Sequence, residues 1–338
     1  MNKQTYIYPH QVKLENGATL PSVEIAYHTY GTLNQDKSNV IWICHALTAN
    51  SDVMDWWSSF LKDGKMYDLS KNFIVCANIL GSCYGSSGPL SINPETQEQY
   101  YSTFPEITVR DMVQMHILLR QHLGIKKINT IYGGSLGGYQ ALEWALTEPD
   151  IFEKMVLVST SARESAWGIA IHTAQRLAVE TDTTWLDMNA DAGARGLKTA
   201  RAIGMLSYRN YDAYIRTQTD DDHQKLDNYK ASSYIHYQGD KLVKRFNAYS
   251  YWILTKALDS HNIARGRGKM DDVLKSINVK TLVIGISSDM LCPVSEQKHL
   301  TTYIPDSRFV EIDSPYGHDG FLIEGKTIGE IVREYFNL

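Results

Sequence analysis

The sequence predicts an α/β protein in which helices cover a mostly parallel central sheet and a helical insertion interrupts the chain. In the first half, apolar runs typical of buried strands alternate with amphipathic stretches, and this strand signal disappears near residue 160 and returns after residue 268. The 338 residues, 43% of them hydrophobic, are enough to bury a large core. We therefore expect a core formed by residues 1–160 and 269–338, with residues 161–268 as a helical lid.

Each element of this prediction has its own local signal. Short apolar runs predict strands at residues 39–44, 73–80, 128–132, 154–159, 279–286 and 308–312. Thr108 and Asp111 form a capping box, which predicts a helix that continues until Gly124. Within the insertion, apolar residues between positions 242 and 257 recur at helical spacing. This stripe predicts packing, either inside the lid or against a second subunit.

Composition excludes several classes of protein. The formal net charge of −5 provides no electrostatic attraction for nucleic acid or for an anionic membrane surface. No apolar run reaches the length of about 18 residues that a membrane span needs. Four cysteines are too few for a disulfide framework in a chain of this length, and no histidine pair has zinc-ligand spacing. We expect a reduced, cytoplasmic protein that binds no metal, no nucleic acid and no membrane.

The pattern Gly-x-Ser-x-Gly occurs at residues 133–137, between a predicted strand and a predicted helix. A sharp turn in this context strains its central residue, requires small neighbours, and exposes the serine hydroxyl at the carboxyl edge of the sheet. The alternatives are a glycine-rich turn that only closes a strand and a phosphate-binding loop. A phosphate-binding loop would need the GxGxxG pattern or the GK[ST] ending, and both are missing. We therefore predict that Ser135 is a nucleophile.

A serine nucleophile needs a base that is oriented by a carboxylate, and in such folds the chain order is serine, acid, histidine. His318 follows the last predicted strand and is flanked by Gly317 and Gly320. Asp289 lies in the turn after the preceding strand, and Asp313 is a weaker rival because it lies only five residues before the histidine. The predicted catalytic residues are Ser135, Asp289 and His318.

An acyl-transfer intermediate also needs amide donors for its oxyanion. The backbone amide of Leu136, directly after the nucleophile, is the first candidate. The second is the amide of Leu47, in the loop that follows the strand at residues 39–44. These residues predict acyl transfer through a seryl ester, and they do not distinguish water from another acceptor.

An ordered set of motifs then identifies a family. With these residues assembled, the chain resembles the homoserine O-acetyltransferase family of α/β-hydrolase-fold acyltransferases over nearly its whole length. The matching segments are residues 30–34, 44–48, 78–89, 110–113, 133–138, 140–144, 237–239, 287–289 and 317–319. The resemblance implies an α/β-hydrolase fold with a helical lid, and a place in methionine biosynthesis.

The same resemblance implies a ping-pong reaction. Ser135 would accept an acetyl group from acetyl-CoA as co-substrate, with no bound cofactor, and pass it to L-homoserine. Arg201 and Tyr208 match the family's site for the carboxylate of the amino acid, and Asp319 matches its site for the ammonium group. Arg209 is the alternative for the carboxylate. The resemblance further implies a homodimer that forms through the lid helices.

Several alternatives remain open at this point. Relatives that use succinyl-CoA as donor, or serine as acceptor, share the same three catalytic residues. An esterase that uses water would also keep them. A non-catalytic binding module on this fold is the third class, and the intact set of nucleophile, base and acid argues against it.

Overall fold

The computed structural model describes residues 3–58 and 68–338. Within these residues, eight strands form one sheet in the order β1-β4-β6-β5-β7-β8-β9-β10, and β2 pairs with β3 separately. The strands are β1 (Gln4–Tyr8), β2 (Val12–Lys13), β3 (Thr19–Leu20), β4 (Val23–Gly31), β5 (Val40–Cys44), β6 (Phe73–Ala77), β7 (Ile128–Gly134), β8 (Phe152–Val158), β9 (Lys280–Ile286) and β10 (Ser307–Ile312). Strands β5 to β10 pair in parallel, and β1 and β4 are antiparallel additions at one edge. The predicted mostly parallel sheet is confirmed.

The helices of the described residues connect these strands and cover the sheet. They are α1 (Val53–Trp56), α2 (Val109–His122), α3 (Leu136–Thr147), α4 (Ala166–Glu180), α5 (Ala194–Tyr208), α6 (Tyr211–Gln218), α7 (Lys230–Val243), α8 (Ala248–Asp259), α9 (Met270–Lys275), α10 (Val294–Tyr303), α11 (Gly320–Ile323) and α12 (Gly325–Phe336). Among them, no helix has both the length and the apolar character needed to cross a membrane.

Apolar side chains fill both faces of the sheet. In β5, Trp42 points to one face, whereas Ile41 and Ile43 point to the other, because successive side chains of a strand alternate. All five residues of this strand are buried, which explains why central strands appear in the sequence as uninterrupted apolar runs. The two-sided core holds the carboxyl ends of the parallel strands at one edge of the sheet.

The predicted start of α2 is confirmed in detail. The Thr108 hydroxyl accepts a hydrogen bond from the amide of Asp111, and the Asp111 carboxylate accepts one from the amide of Thr108 at 2.8 Å. Both orphan donors at the helix start are therefore satisfied.

Helices α4 to α8 all fall within residues 161–268. The apolar stripe at residues 242–257 does not form one helix, because the chain breaks between α7 and α8, where Asn247 caps the new helix start by accepting from the amide of Ser250. Leu242, Phe246 and Leu254 are nonetheless buried inside this chain. Of the two interpretations of the stripe, packing within the chain is the correct one for these residues.

Candidate active site

Ser135 lies in a strained turn between β7 and α3. Its φ of 54° and ψ of −127° are unusual for a residue with a side chain, and such strain is typical of functional turns. The turn depends on its glycines: a Cβ on Gly137 would lie 2.1 Å from the Cys44 carbonyl oxygen, and one on Gly138 would lie 2.4 Å from Thr160 Oγ1. The small residues allow α3 to approach the ends of the neighbouring strands, which leaves the Ser135 hydroxyl at the carboxyl edge of the sheet.

The three predicted catalytic side chains form one hydrogen-bonded series. His318 Nε2 lies 2.8 Å from Ser135 Oγ, and His318 Nδ1 lies 2.7 Å from Asp289 Oδ2. His318 is carried by a short 3₁₀ turn after β10, and Asp289 lies in the turn after β9. Gly317, with a φ of 62°, brings this turn against α5, since a Cβ there would lie 2.8 Å from the Tyr208 carbonyl oxygen. The arrangement can remove the proton of the serine hydroxyl.

Asp289 has a fixed orientation. One oxygen, Oδ1, accepts hydrogen bonds from the amides of Leu291 and Cys292, both at 2.9 Å, and the other oxygen accepts from His318. The rival carboxylate, Asp313, accepts instead from the Ser287 hydroxyl at 3.0 Å. Asp289 is therefore the carboxylate that contacts the histidine.

Two opposing effects act on the pKa of His318. Burial is the largest single effect and disfavours the imidazolium, but the negative charge and hydrogen bond of Asp289, together with the charges of Asp319 and Glu164, outweigh it, so the pKa lies above the ordinary 6.5. His318 is 4% exposed, so protein atoms surround most of its imidazole.

The backbone amides of Leu47 and Leu136, the two predicted oxyanion donors, have no acceptor among the described residues. Leu136 is the first residue of α3, where the amide has no partner within the helix. The loop that carries Leu47 is held by Gln140, whose side chain donates to the carbonyl oxygens of His45 and Leu136, both at 3.1 Å.

His45 supports the same loop as a neutral side chain. Its Nδ1 lies 2.8 Å from the Ala46 carbonyl oxygen, and its Nε2 accepts from the amide of Ile79 at 3.1 Å. Burial lowers its pKa to about 4. His45 and Gln140 thus hold the loop in place. The sequence analysis did not identify this role of Gln140.

A cavity of about 490 Å³ opens onto Ser135 and His318. Leu47, Arg201, Tyr208 and Asp319, which are predicted site residues, also line it, and Leu136 is buried beneath the serine. The guanidinium carbon of Arg201 lies 5.4 Å from the centroid of the Tyr208 ring, so the arginine stacks over this ring. Its Nε is buried and has no hydrogen-bond partner among the residues described, which leaves a donor for a ligand.

Arg209 was the alternative ligand for the carboxylate of the amino acid, and that role would require a free guanidinium in the cavity. The structure shows that this guanidinium is already paired. Its Nε lies 2.8 Å from Asp319 Oδ2, and both side chains are partly buried. The ion pair occupies one oxygen of Asp319 and leaves the other, Oδ1, without a hydrogen bond to any part of the chain that the structure describes. The sequence analysis missed this role, because nothing in the pattern links positions 110 residues apart.

A second group of polar side chains lines the cavity, and the sequence analysis did not identify it. Tyr139 donates to Glu164 at 3.1 Å, and His172 Nδ1 lies 2.9 Å from Asp259 Oδ1. Burial raises the pKa of the Glu164 carboxyl above its usual value. Tyr139, Glu164 and His172 line the cavity, so this wall is polar but largely paired within itself.

Comparisons with known proteins identify the family and the fold of this chain. Residues 39–324 match the family model described as alpha/beta hydrolase fold. The homoserine O-acetyltransferase of Cyclobacterium marinum is 45% identical over 99% of this chain and 95% of its own length. The crystal structure of homoserine O-acetyltransferase from Bacillus anthracis has a TM-score of 0.88 at 25% identity, over 97% of this chain and 96% of that one.

Esterase E22 shares the fold alone, with a TM-score of 0.89 at 23% identity over 99% of both chains. At the level of sequence, relatives at 41–45% identity over nearly the full length are homoserine O-acetyltransferases. The chain therefore belongs to the homoserine O-acetyltransferase family and has the α/β-hydrolase fold.

Proposed function

We propose that this protein is a homoserine O-acetyltransferase that moves an acetyl group from acetyl-CoA to L-homoserine through an acetyl ester on Ser135. The observation that carries the proposal is the hydrogen-bonded series of Ser135, His318 and Asp289 at the end of a cavity that also carries a carboxylate and an arginine with no ion pair among the described residues. Membership in the family supplies the acetyl donor and the acceptor.

In the first half-reaction, Ser135 Oγ attacks the thioester carbonyl carbon of acetyl-CoA while its proton moves to His318 Nε2. The amides of Leu47 and Leu136 donate hydrogen bonds to the oxyanion that forms. When the intermediate collapses, the carbon–sulfur bond breaks and CoA leaves as a thiol with the proton from His318. Asp289 holds the imidazole with its proton on Nδ1 and stabilises the imidazolium.

In the second half-reaction, the hydroxyl of L-homoserine occupies the place that CoA has left. His318 Nε2 accepts the hydroxyl proton, and the oxygen attacks the acetyl carbon. The bond from this carbon to Ser135 Oγ then breaks, and His318 returns the proton to the serine. The product is O-acetyl-L-homoserine, and the enzyme is restored.

The amino acid is a zwitterion and needs one cation and one anion on the cavity wall. We assign its carboxylate to Arg201, whose planar guanidinium suits bidentate contact with a carboxylate. Tyr208 lies beneath this arginine and restricts its position. We assign the ammonium group to Asp319 Oδ1, the oxygen that Arg209 leaves available. This pair of contacts favours an amino alcohol over water as the acceptor.

All of these steps use side chains and amides of this chain, so we propose that no resident cofactor or metal takes part. Residues 161–268 would act as the lid. Activity that survives dialysis against a chelator supports this assignment, and activity restored only by added metal contradicts it.

We further propose a cytoplasmic homodimer that forms through the lid helices. The four cysteines, all within the described ranges, are free thiols, as in a reducing compartment. The helices of residues 161–268 and the segments between them expose several large apolar side chains, an arrangement typical of subunit interfaces. They include Trp167, Leu177, Leu186, Leu206, Tyr211, Leu226 and Tyr237. Light scattering that gives twice the chain mass supports the dimer, and the mass of one chain contradicts it.

One assay tests the reaction. Purified protein is mixed with acetyl-CoA or succinyl-CoA, with and without homoserine or serine, and thiol release is followed. We expect rapid turnover only with acetyl-CoA and homoserine together. Acetyl-CoA loss that does not depend on homoserine indicates a hydrolase, and no turnover with any pair indicates a binding module.

A further inference from the structure

The entrance of the active-site cavity carries two cations that the steps above do not use. Lys241 lies near the end of α7 and Arg245 follows directly after this helix; both are exposed and both line the cavity. His318, at the reactive end, is buried. The cavity thus extends from a buried catalytic end to an exposed cationic entrance.

Neither cation has a carboxylate partner among the residues that the structure describes. Within the described ranges, Lys241 makes no ion pair, whereas the adjacent Asp240 pairs with Lys198 at 2.6 Å. Arg245 has no carboxylate partner there either, and its Nη1 donates to the Thr48 carbonyl oxygen and the Tyr84 hydroxyl. These two bonds hold the guanidinium in place and leave its Nη2 and Nε available.

The acidic groups of the cavity do not cancel this charge. Glu164 accepts hydrogen bonds from the Tyr139 hydroxyl and the Ser165 amide, and burial raises its pKa. Asp319 is paired with Arg209. Asp55 is the remaining acid of the cavity wall among the described residues, and its side chain is exposed on helix α1. Among the exposed cavity-lining residues that the structure describes, two cations stand against one carboxylate, so this part of the entrance is positive.

We propose that Lys241 and Arg245 bind the phosphate groups of the acyl donor, an inference that rests on the proposed use of acetyl-CoA. The thioester and the phosphates of CoA are at opposite ends of a long pantetheine arm. When the thioester reaches Ser135, the phosphates remain at the entrance. A fixed guanidinium and a mobile ammonium are the two side chains that bind phosphate most often.

Arg245 has a second effect, because Thr48 adjoins Leu47, the proposed oxyanion donor. The hydrogen bond from Arg245 to the Thr48 carbonyl oxygen joins the segment after α7 to the loop that carries Leu47. Removal of Arg245 should therefore slow acylation by every donor and weaken acetyl-CoA binding in addition. Lys241 has no such link, so its replacement tests phosphate binding without a change at the oxyanion site.

The test compares acetyl-CoA with S-acetyl-pantetheine, which has the same thioester and arm but lacks the nucleotide and its phosphates. We expect Lys241→Gln to raise the KM for acetyl-CoA about tenfold and to leave kcat unchanged, because a cation–phosphate hydrogen bond is lost. Kinetics with S-acetyl-pantetheine should be unaltered. Lys244→Gln is the matched control, since Lys244 is exposed on the same segment but does not line the cavity. The wild-type KM for acetyl-CoA should also rise with ionic strength more than that of Lys241→Gln.

If Lys241→Gln changes the KM for both donors equally, or changes neither, the proposed phosphate site is overturned. The proposed acetyl transfer to homoserine is not affected by that result. Calorimetry supplies a readout without turnover: CoA should bind the wild type more tightly than pantetheine does, and Lys241→Gln should reduce that difference. Equal affinities of the wild type for CoA and pantetheine also overturn the site. Failure of the proposed function is distinct, because the wild type then transfers acetyl from neither donor to homoserine.

Discussion

Replacement of Asp289 by asparagine should change the tautomer of His318 without disturbing the fold. In the wild type, Oδ1 of Asp289 accepts from the amides of Leu291 and Cys292, and Oδ2 accepts from the histidine. The carbonyl oxygen of an asparagine must take the place of Oδ1, because an NH₂ group there would face two N–H donors. Its NH₂ group then faces His318 Nδ1 and donates to it, which forces the imidazole proton onto Nε2. An imidazole protonated on Nε2 cannot accept the proton of Ser135.

The size of the effect follows from the same contacts. The productive tautomer requires the asparagine amide to flip, which leaves two buried amides without an acceptor. Each such loss costs about 1–3 kcal/mol, so the flip costs roughly 2–6 kcal/mol. The productive form is therefore reduced roughly 30-fold to 10⁴-fold, and kcat should fall within this range.

The assay is steady-state release of CoA in the presence of saturating homoserine, together with the thermal midpoint of each variant. Asp313→Asn is the matched control, since this carboxylate accepts from Ser287 and does not contact the histidine. We expect it to retain wild-type activity. An Asp289→Asn enzyme within tenfold of the wild type, or an equal loss in Asp313→Asn, would refute the assigned role of Asp289.

Four other changes have defined outcomes. Arg201→Ala should raise the KM for homoserine about 100-fold and leave single-turnover acylation by acetyl-CoA unchanged; equal loss of both steps contradicts its role. Arg209→Gln should raise the KM for homoserine about tenfold, because Asp319 loses its ion pair. Arg209→Lys keeps the positive charge and should restore part of the affinity for homoserine. A variant that changes only the acylation step argues against this positioning role of Arg209. Only the neutral imidazole of His318 can accept a proton, and the pKa of this side chain is raised. The value of kcat/KM for acetyl-CoA should therefore fall as the pH falls through a pKa above 6.5. A pH profile of kcat/KM whose acidic decrease is centred below 6.5 contradicts this. Gly137→Ala should yield no soluble enzyme, because a Cβ there would lie 2.1 Å from a carbonyl oxygen of β5, and normal expression with full activity is the opposing result.

Residue order and local pattern were enough to predict that Ser135, Asp289 and His318 lie together. The strands that precede Ser135, Asp289 and His318 are parallel, so their carboxyl ends meet at one edge of the sheet. The flanking glycines at residues 133–138 identified the turn because close backbone approach excludes larger side chains. Residues fixed by backbone geometry are therefore accessible to sequence analysis.

Contacts between distant side chains were not accessible in this way. The pairing of Arg209 with Asp319 depends on how α5 packs against the turn that carries His318, and no local pattern contains that information. Strand β4 was not predicted because its interior contains His28 and Thr29, which interrupt the apolar run although both are buried. The break between α7 and α8 was missed because the apolar spacing continues across it, and the cap by Asn247 determines the helix start.

The acetyl ester on Ser135 is the central claim, and mass spectrometry tests it directly. The protein is mixed with acetyl-CoA in the absence of homoserine, quenched in acid, and digested. We predict that the peptide containing Ser135 gains the mass of one acetyl group, that added homoserine removes it, and that Ser135→Ala never acquires it. A wild-type enzyme that forms O-acetyl-homoserine while this peptide stays unmodified at every quench time, or a Ser135→Ala enzyme that turns over normally, would contradict the account.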